Sequence, residues 1–110
     1  MKELIKVMKA LSQPNRVKIV KMLRRKMMRV CEMQAALGLA QPTVSKLLKV
    51  LKGAGLVNHH KDGLWVYYHL ADGGDSPYAA TLLGSLRHWL GDDPEIIDLA
   101  ARLPTIESYR

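Results

Sequence analysis

Gln41-Pro42-Thr43-Val44-Ser45-Lys46-Leu47-Leu48-Lys49-Val50-Leu51-Lys52-Gly53-Ala54-Gly55-Leu56-Val57 carries an apolar pattern and a basic one on the same segment. Val44, Leu47, Leu48 and Leu51 recur at i, i+3, i+4 and i+7, which draws one buried stripe along a helix. The opposite face holds Gln41, Ser45, Lys46, Lys49 and Lys52, hydrogen-bonding and cationic groups with no acid among them. Pro42 suits a first helical turn, where a missing N–H costs nothing. Gly53 and Gly55 end the helix, and Leu56-Val57 opens an extended segment. A helix that is apolar on one side and basic on the other suits a groove lined by phosphates, so the stretch reads as a DNA-recognition helix.

The charge of the whole chain agrees with that reading. The net charge is +7 over 110 residues, but residues 1–61 hold 14 Lys/Arg against two acids, while residues 62–110 hold three against eight. Such an asymmetry turns the front of the chain toward a polyanion. With 48% hydrophobic and 25% charged residues the chain is expected to form one globular domain over residues 1–110. No apolar run approaches the ~18 residues of a membrane span. Met1-Lys2-Glu3 leads straight into a periodic segment without a signal-peptide core, and Cys31 has no internal disulfide partner. A cytoplasmic protein with no membrane partner is expected.

On either side of the basic helix the pattern stays helical and then changes. Leu4, Val7, Met8 and Leu11 mark an inward face on a first helix. Ser12-Gln13-Pro14-Asn15 breaks it, with Ser12 or Gln13 just outside a second helix over about 15–26 that turns Val17, Ile19, Val20 and Leu23 inward. On that helix Arg24, Arg25 and Lys26 are read as peripheral phosphate contacts or solvated charges. A third helix, about 30–37, points Val30, Met33 and Leu37 inward. Gly38-Leu39-Ala40 has the length of the turn in a helix-turn-helix, which would then span about 30–52. After Gly55 the period becomes 2: Leu56–His60 and Leu64–Leu70 flank Lys61-Asp62-Gly63, a strong hairpin signal. The hairpin, about 56–70, is a wing. A loop over 71–77 leads to C-terminal helices over about 77–103, one from Tyr78 to Leu90 and a short one from Glu95 to Leu103, with Pro104 ending the order. The expected fold is mainly α with a β-hairpin, a winged helix-turn-helix.

Four segments in this order resemble the ArsR/SmtB-type family of small bacterial winged-helix repressors, a likeness that covers roughly residues 4–90. They are Ala10 through Arg16 with Ile19 and Leu23; Glu32 through Leu39; Val44-Ser45 with Leu48, Leu51 and Ala54-Gly55-Leu56-Val57; and Gly63 with Val66-Tyr67-Tyr68 and Leu70. The resemblance implies a homodimer, paired through the first and last long helices, that represses its own operon and leaves the DNA when an inducer binds (a metal ion, arsenite or a small molecule). Leu47 stands where that family often has His, and His60 and Leu64 stand where its wing usually carries Arg.

In a helix-turn-helix the first turns of the second helix meet base edges in the major groove. Gln41, Thr43, Ser45 and Lys46 are the expected base readers: Gln pairs with adenine, and Lys with guanine O6/N7. Lys49 is expected at a phosphate, and Lys61, read at the wing tip, at the backbone beside the minor groove. Two-fold symmetry calls for an inverted-repeat operator.

The input end is less well marked. The resemblance places a Cys-x-Cys pair of arsenic sensors at the start of the third helix, but here Arg29 replaces the first cysteine and only Cys31 remains. One chain therefore supplies one thiol where arsenic needs two or three. Cys31 is read first as a half-buried packing thiol, with a redox- or electrophile-responsive thiol and a metal ligand as alternatives. His88 and Asp92, four residues apart near the end of the last long helix, are the only echo of that family's zinc site and fall short of four ligands. His59 and His60 point to opposite faces of a strand, and His69 could neighbour one of them. No complete metal or cofactor site is recognisable. No phosphate loop, acid pair or nucleophile motif marks an enzyme. The competing readings are an inducible repressor, a constitutive DNA binder or one controlled by a protein partner, and a winged helix used for protein contacts, against which Lys46, Lys49 and Lys52 in one sector argue.

Overall fold

Among the described residues, six helices and one hairpin follow in the order α1 (Lys2–Ala10), α2 (Pro14–Arg25), α3 (Val30–Leu37), α4 (Gln41–Gly53), β1 (Val57–Asp62), β2 (Trp65–Leu70), α5 (Pro77–Leu86) and α6 (Pro94–Glu107). The structure, a computed structural model, describes residues 1–74 and 76–107, so Asp75 of the expected loop lies outside the described residues. The architecture is mainly helical with a two-stranded antiparallel wing.

Local chemistry sets the element boundaries. Of the two capping candidates before α2, Gln13 takes the role: its Oε1 accepts from the Arg16 N–H at 2.9 Å, and Pro14 occupies the first turn. Arg16 then reaches back to end α1, its Nε donating to the Ala10 carbonyl at 2.6 Å and its Nη2 to Lys9 at 3.2 Å. The end of α4 is a Schellman turn: the Leu56 N–H reaches the Leu51 carbonyl, the Gly55 N–H reaches Lys52, and Gly55 sits at φ +77°. A side chain there would strain this left-handed joint between recognition helix and wing.

The core is aliphatic and Met-rich: Val7, Ala10, Ile19, Val20, Met22, Leu23, Met28, Met33, Ala36 and the α4 stripe pack with Leu56, Val57, Leu83, Leu86, Leu99 and Leu103. All four stripe residues, Val44, Leu47, Leu48 and Leu51, are buried. Each aliphatic side chain so placed contributes about 1.5–3 kcal/mol, which fixes the rotation of α4 about its axis and turns its lysines outward.

Five expectations need correction. Leu4 and Met8 do not face the core; with Ile5 they lie open on α1, while Val7 and Ala10 are the residues it buries. Met22, absent from the expected inward set of α2, is fully buried, and Arg24 and Lys26 are partly buried and bonded within the chain. The two turn residues of the wing are Gly63 and Leu64, because Asp62 pairs with Trp65 and Lys61 with Val66. Gly63, at φ +62°, supplies the positive angle that a two-residue hairpin needs at its first position. Lys61 is therefore a strand residue, and the tip is Leu64, 90% exposed.

The fourth correction is at α5, which ends at Leu86 rather than Leu90. Side chains of α2 take carbonyls of its last turn and of the segment beyond: Arg24 Nη2 donates to Leu83 at 2.8 Å, and Lys21 Nζ donates to Leu86 and, past the helix, to Trp89, each at 2.9 Å. The chain turns through 87–92, with Leu90 at φ +65°, and Trp89 and Leu90 stay exposed. The fifth is Pro104, which lies inside α6 and does not end it. A proline removes one backbone donor, and α6 continues through it to Glu107.

Candidate nucleic-acid interface

The outward face of α4 carries Gln41, Thr43, Lys46, Lys49 and Lys52, all exposed, with Ser45 half-buried beside them. Gln41 Nε2 donates to Ser45 Oγ at 3.2 Å, a turn apart, so two of the expected base readers are already organised on one strip. α3 packs against α4 across Gly38-Leu39-Ala40 and holds its N-terminal end outward. The α4 N-terminus has no side-chain cap: Pro42 brings no N–H to the first turn, and the Thr43 and Val44 N–H groups both donate to the Ala40 carbonyl at 3.1 Å.

The wing is joined to this helix by more than the Gly55 turn. Lys52 Nζ lies 3.2 Å from His59 Nδ1 on β1. On the inner side of the wing, Met28 and Tyr68 form an antiparallel bridge, with N–H to carbonyl distances of 3.0 and 2.8 Å, so β2 lies between β1 and the segment before α3. Arg29 stacks on the Trp65 ring at 4.5 Å. His60 and His69 do become neighbours, with ring centroids 5.2 Å apart, and His60 stacks on Tyr67 at 5.9 Å.

Residues not anticipated also adjoin this surface. Lys6 and Lys9 of α1 line a shallow groove with Arg16, Lys49, Val50 and Gly53, which extends the basic face sideways from α4. Their only signal in the sequence is the charge excess of residues 1–61. Glu32 is 1% exposed; among the described residues its Oε1 accepts from the Arg29 N–H at 2.9 Å, and its carboxylate lies 3.4 Å from Lys26 Nζ and 3.6 Å from Arg29 Nε. Arg29 itself has no acceptor atom, so only the Glu half of a capping box is formed here.

The candidate sensor residues fall apart in space. Cys31 is exposed, not half-buried, because the buried side of α3 presents Glu32, Met33 and Ala36. His88 and Asp92 are exposed in the turn after α5, not on a helix face. Among the described residues no three His, Cys, Asp or Glu side chains come together as metal ligands.

This arrangement, a buried-stripe helix with a cationic outer face braced by a β-hairpin, defines a winged helix-turn-helix DNA-binding regulator. Residues 13–59 match the model of the bacterial regulatory proteins of the arsR family. The chain is 39% identical over 67 residues to an uncharacterized HTH-type transcriptional regulator of Methanocaldococcus jannaschii, covering 60% of this chain and 75% of that protein. It is 44% identical over 66 residues to the HTH-type transcriptional repressor SmtB of Mycobacterium tuberculosis, covering 60% of this chain and 49% of the relative. A homodimeric winged helix-turn-helix DNA-binding domain from Mycobacterium bovis superposes with a TM-score of 0.67 at 30% identity, over 78% of this chain and 76% of the other. The chain belongs to the arsR family of bacterial regulatory proteins. It is a DNA-binding transcriptional regulator, in a family that is not one of enzymes. It spans about half the length of the SmtB relative it matches. Among the described residues no helix is long and apolar enough to cross a membrane.

Proposed function

We propose that the protein is a cytoplasmic homodimeric repressor, a single functional domain over residues 1–110, that reads an inverted-repeat operator through Gln41, Thr43, Ser45 and Lys46. The observation that carries this reading is the outer face of α4, where exposed lysines and amide and hydroxyl groups lie over a stripe that burial holds in place. Lys49 and Lys61 grip phosphate, and Lys61 does so from the flank of the wing. In the dimer the two recognition helices stand about 34–36 Å apart, one turn of DNA. Lys46→Ala is expected to weaken binding to the protein's own upstream DNA by about 1–3 kcal/mol while leaving binding to random duplex nearly unchanged. Equal losses on both duplexes, measured by fluorescence anisotropy, would assign Lys46 to phosphate instead. No binding at low salt would sink the whole reading.

Support for the dimer comes from the open side of α1. Leu4, Ile5 and Met8 are exposed there, with Met8 53% open, and α5, which packs against α1, adds the exposed Tyr78. A row of apolar side chains on the first helix, unused by its own chain, suits a second copy meeting α1 and α5. Ile5→Glu with Met8→Glu is expected to shift sedimentation from dimer to monomer with little change in helical circular dichroism. A dimer that persists in this variant would place the interface elsewhere.

What releases the DNA is approached with the same binding assay in the presence of arsenite, Zn²⁺, Cd²⁺ and an oxidant. The exposure of Cys31 favours the redox or electrophile reading over a packing role. Release by an oxidant in the wild type but not in Cys31→Ser would make that thiol the switch.

A further inference from the structure

A cavity of about 410 Å³ lies between α2, the turn after α5, and α6, away from the outer face of α4. That volume is within the range of small-molecule sites, ~300–1,000 Å³. Its floor is apolar, formed by Met22, Ile96, Leu99 and Leu103, and its cationic side chains are Lys21, Arg24, Arg25 and Arg87. Among the described residues no acid lines it: nearby Glu95 is turned to Lys18 at 3.7 Å, and Asp93 accepts from the N–H groups of Glu95 and Ile96 at the start of α6.

The four cations are not equivalent. Lys21 and Arg24 are committed to the carbonyls that end α5. Burial, and then the adjacent Arg24 and Arg25, lower the Lys21 ammonium below its ordinary pKa, as expected where positive charge is crowded. Arg25 and Arg87 are exposed, and among the described residues neither has a hydrogen-bond or ion-pair partner in its side chain. An apolar floor beneath uncompensated guanidinium groups is complementary to a molecule with a greasy body and one anionic end. Guanidinium favours carboxylate through paired, charge-assisted hydrogen bonds.

We infer that this cavity binds an amphipathic carboxylate, of the class of medium-chain acyl or aryl acids, with its tail on Met22, Ile96, Leu99 and Leu103 and its head on Arg25 and Arg87. The far wall, α6, also braces the helix-turn-helix, packing on α3 with Arg102 Nη1 donating to the Ala36 carbonyl. Occupancy is therefore transmitted to the first helix of that motif. This coupling rests on the DNA-binding reading; the binding site itself does not.

The test titrates the full chain with decanoate, kept below its micelle-forming concentration, and follows methyl NMR signals. Saturable shifts at Met22, Ile96, Leu99 and Leu103 are expected, with decanol binding roughly tenfold more weakly because it lacks the charge-assisted bonds. Arg25→Gln combined with Arg87→Gln, both exposed positions that leave the core intact, should weaken decanoate roughly tenfold and decanol hardly at all. Equal affinity for decanoate and decanol, an unchanged double variant, or shifts confined to other parts of the molecule would overturn the site. In the DNA assay saturating decanoate should change the operator affinity of the wild type and not that of the double variant; an unmoved wild type would overturn the coupling. Ligand-free protein that fails to bind DNA would instead refute the regulator reading, leaving the NMR result to stand on its own.

Discussion

Raising salt from about 50 to about 200 mM should lower the affinity of the protein for its operator by roughly 10³–10⁵-fold. The basis is counterion release: each phosphate neutralised frees condensed cations, so the logarithm of the affinity falls linearly with that of the salt concentration. Lys49, Lys52 and Lys61 are exposed on α4 and the wing, and a dimer presents this set twice. That is within the roughly six to ten contacts on which the expected loss depends. Many other cations of the front half do not count toward it, since Arg16, Lys21, Arg24, Lys26 and Arg29 are bonded within the chain. The slope therefore reports Lys49 and Lys52 of α4 and Lys61 of the wing, with Lys6 and Lys9 beside them on α1. Fluorescence anisotropy across a salt series measures it, and a flat series would exclude phosphate as the main source of affinity. A slope much steeper than this set allows would bring Lys2 or Arg25 into the interface.

Glu32→Ala is expected to destabilise the fold by about 3–5 kcal/mol, the cost of removing one partner from a buried ion pair. Glu32 is 1% exposed, so solvent screening offers little relief. Its loss leaves Lys26 and Arg29, both mostly buried, without the carboxylate that lies 3.4 and 3.6 Å away, and uncaps the Arg29 N–H. These groups join the end of α2, the start of α3 and the segment paired with β2, so the damage reaches the seat of the wing. Glu32→Gln keeps an acceptor for the Arg29 N–H and should cost clearly less than the alanine change. Urea unfolding of both variants against the parent decides the matter. A Glu32→Ala cost within about 1 kcal/mol would mean that the cations relax to solvent and that the pair is dispensable.

The output half of the molecule was legible because it rests on periodicity. The stripe Val44, Leu47, Leu48 and Leu51 needs only the 3.6-residue repeat, and Gly38-Leu39-Ala40 needs only turn length. Long-range partners were not legible. Lys21 and Arg24 look like solvated charges in a list of residues, yet they end α5 from more than 55 positions away in the chain. The same contacts removed His88 from a helix and so from any zinc-like spacing. Glu32 was visible only as one residue of a family pattern, although its carboxyl lies at the centre of a buried cluster. On α1 an apolar face was predicted without a way to tell side chains packed in the core from side chains left open on the helix. In the wing, Asp-Gly signalled a hairpin correctly, but pairing of Asp62 with Trp65 moved the turn by one residue and put Leu64 at the tip.

The division of α4 into a buried stripe and an exposed basic strip separates two kinds of selection on the same thirteen residues. Changes at Gln41, Thr43 or Lys46 touch no core contact, and exposed substitutions of this sort usually alter stability by no more than about 0.5 kcal/mol. The stripe, by contrast, tolerates little, because each large-to-small change there opens a cavity costing about 2–5 kcal/mol. On the proposed reading, in which these residues meet the bases, single substitutions there change the DNA sequence recognised and leave the fold intact.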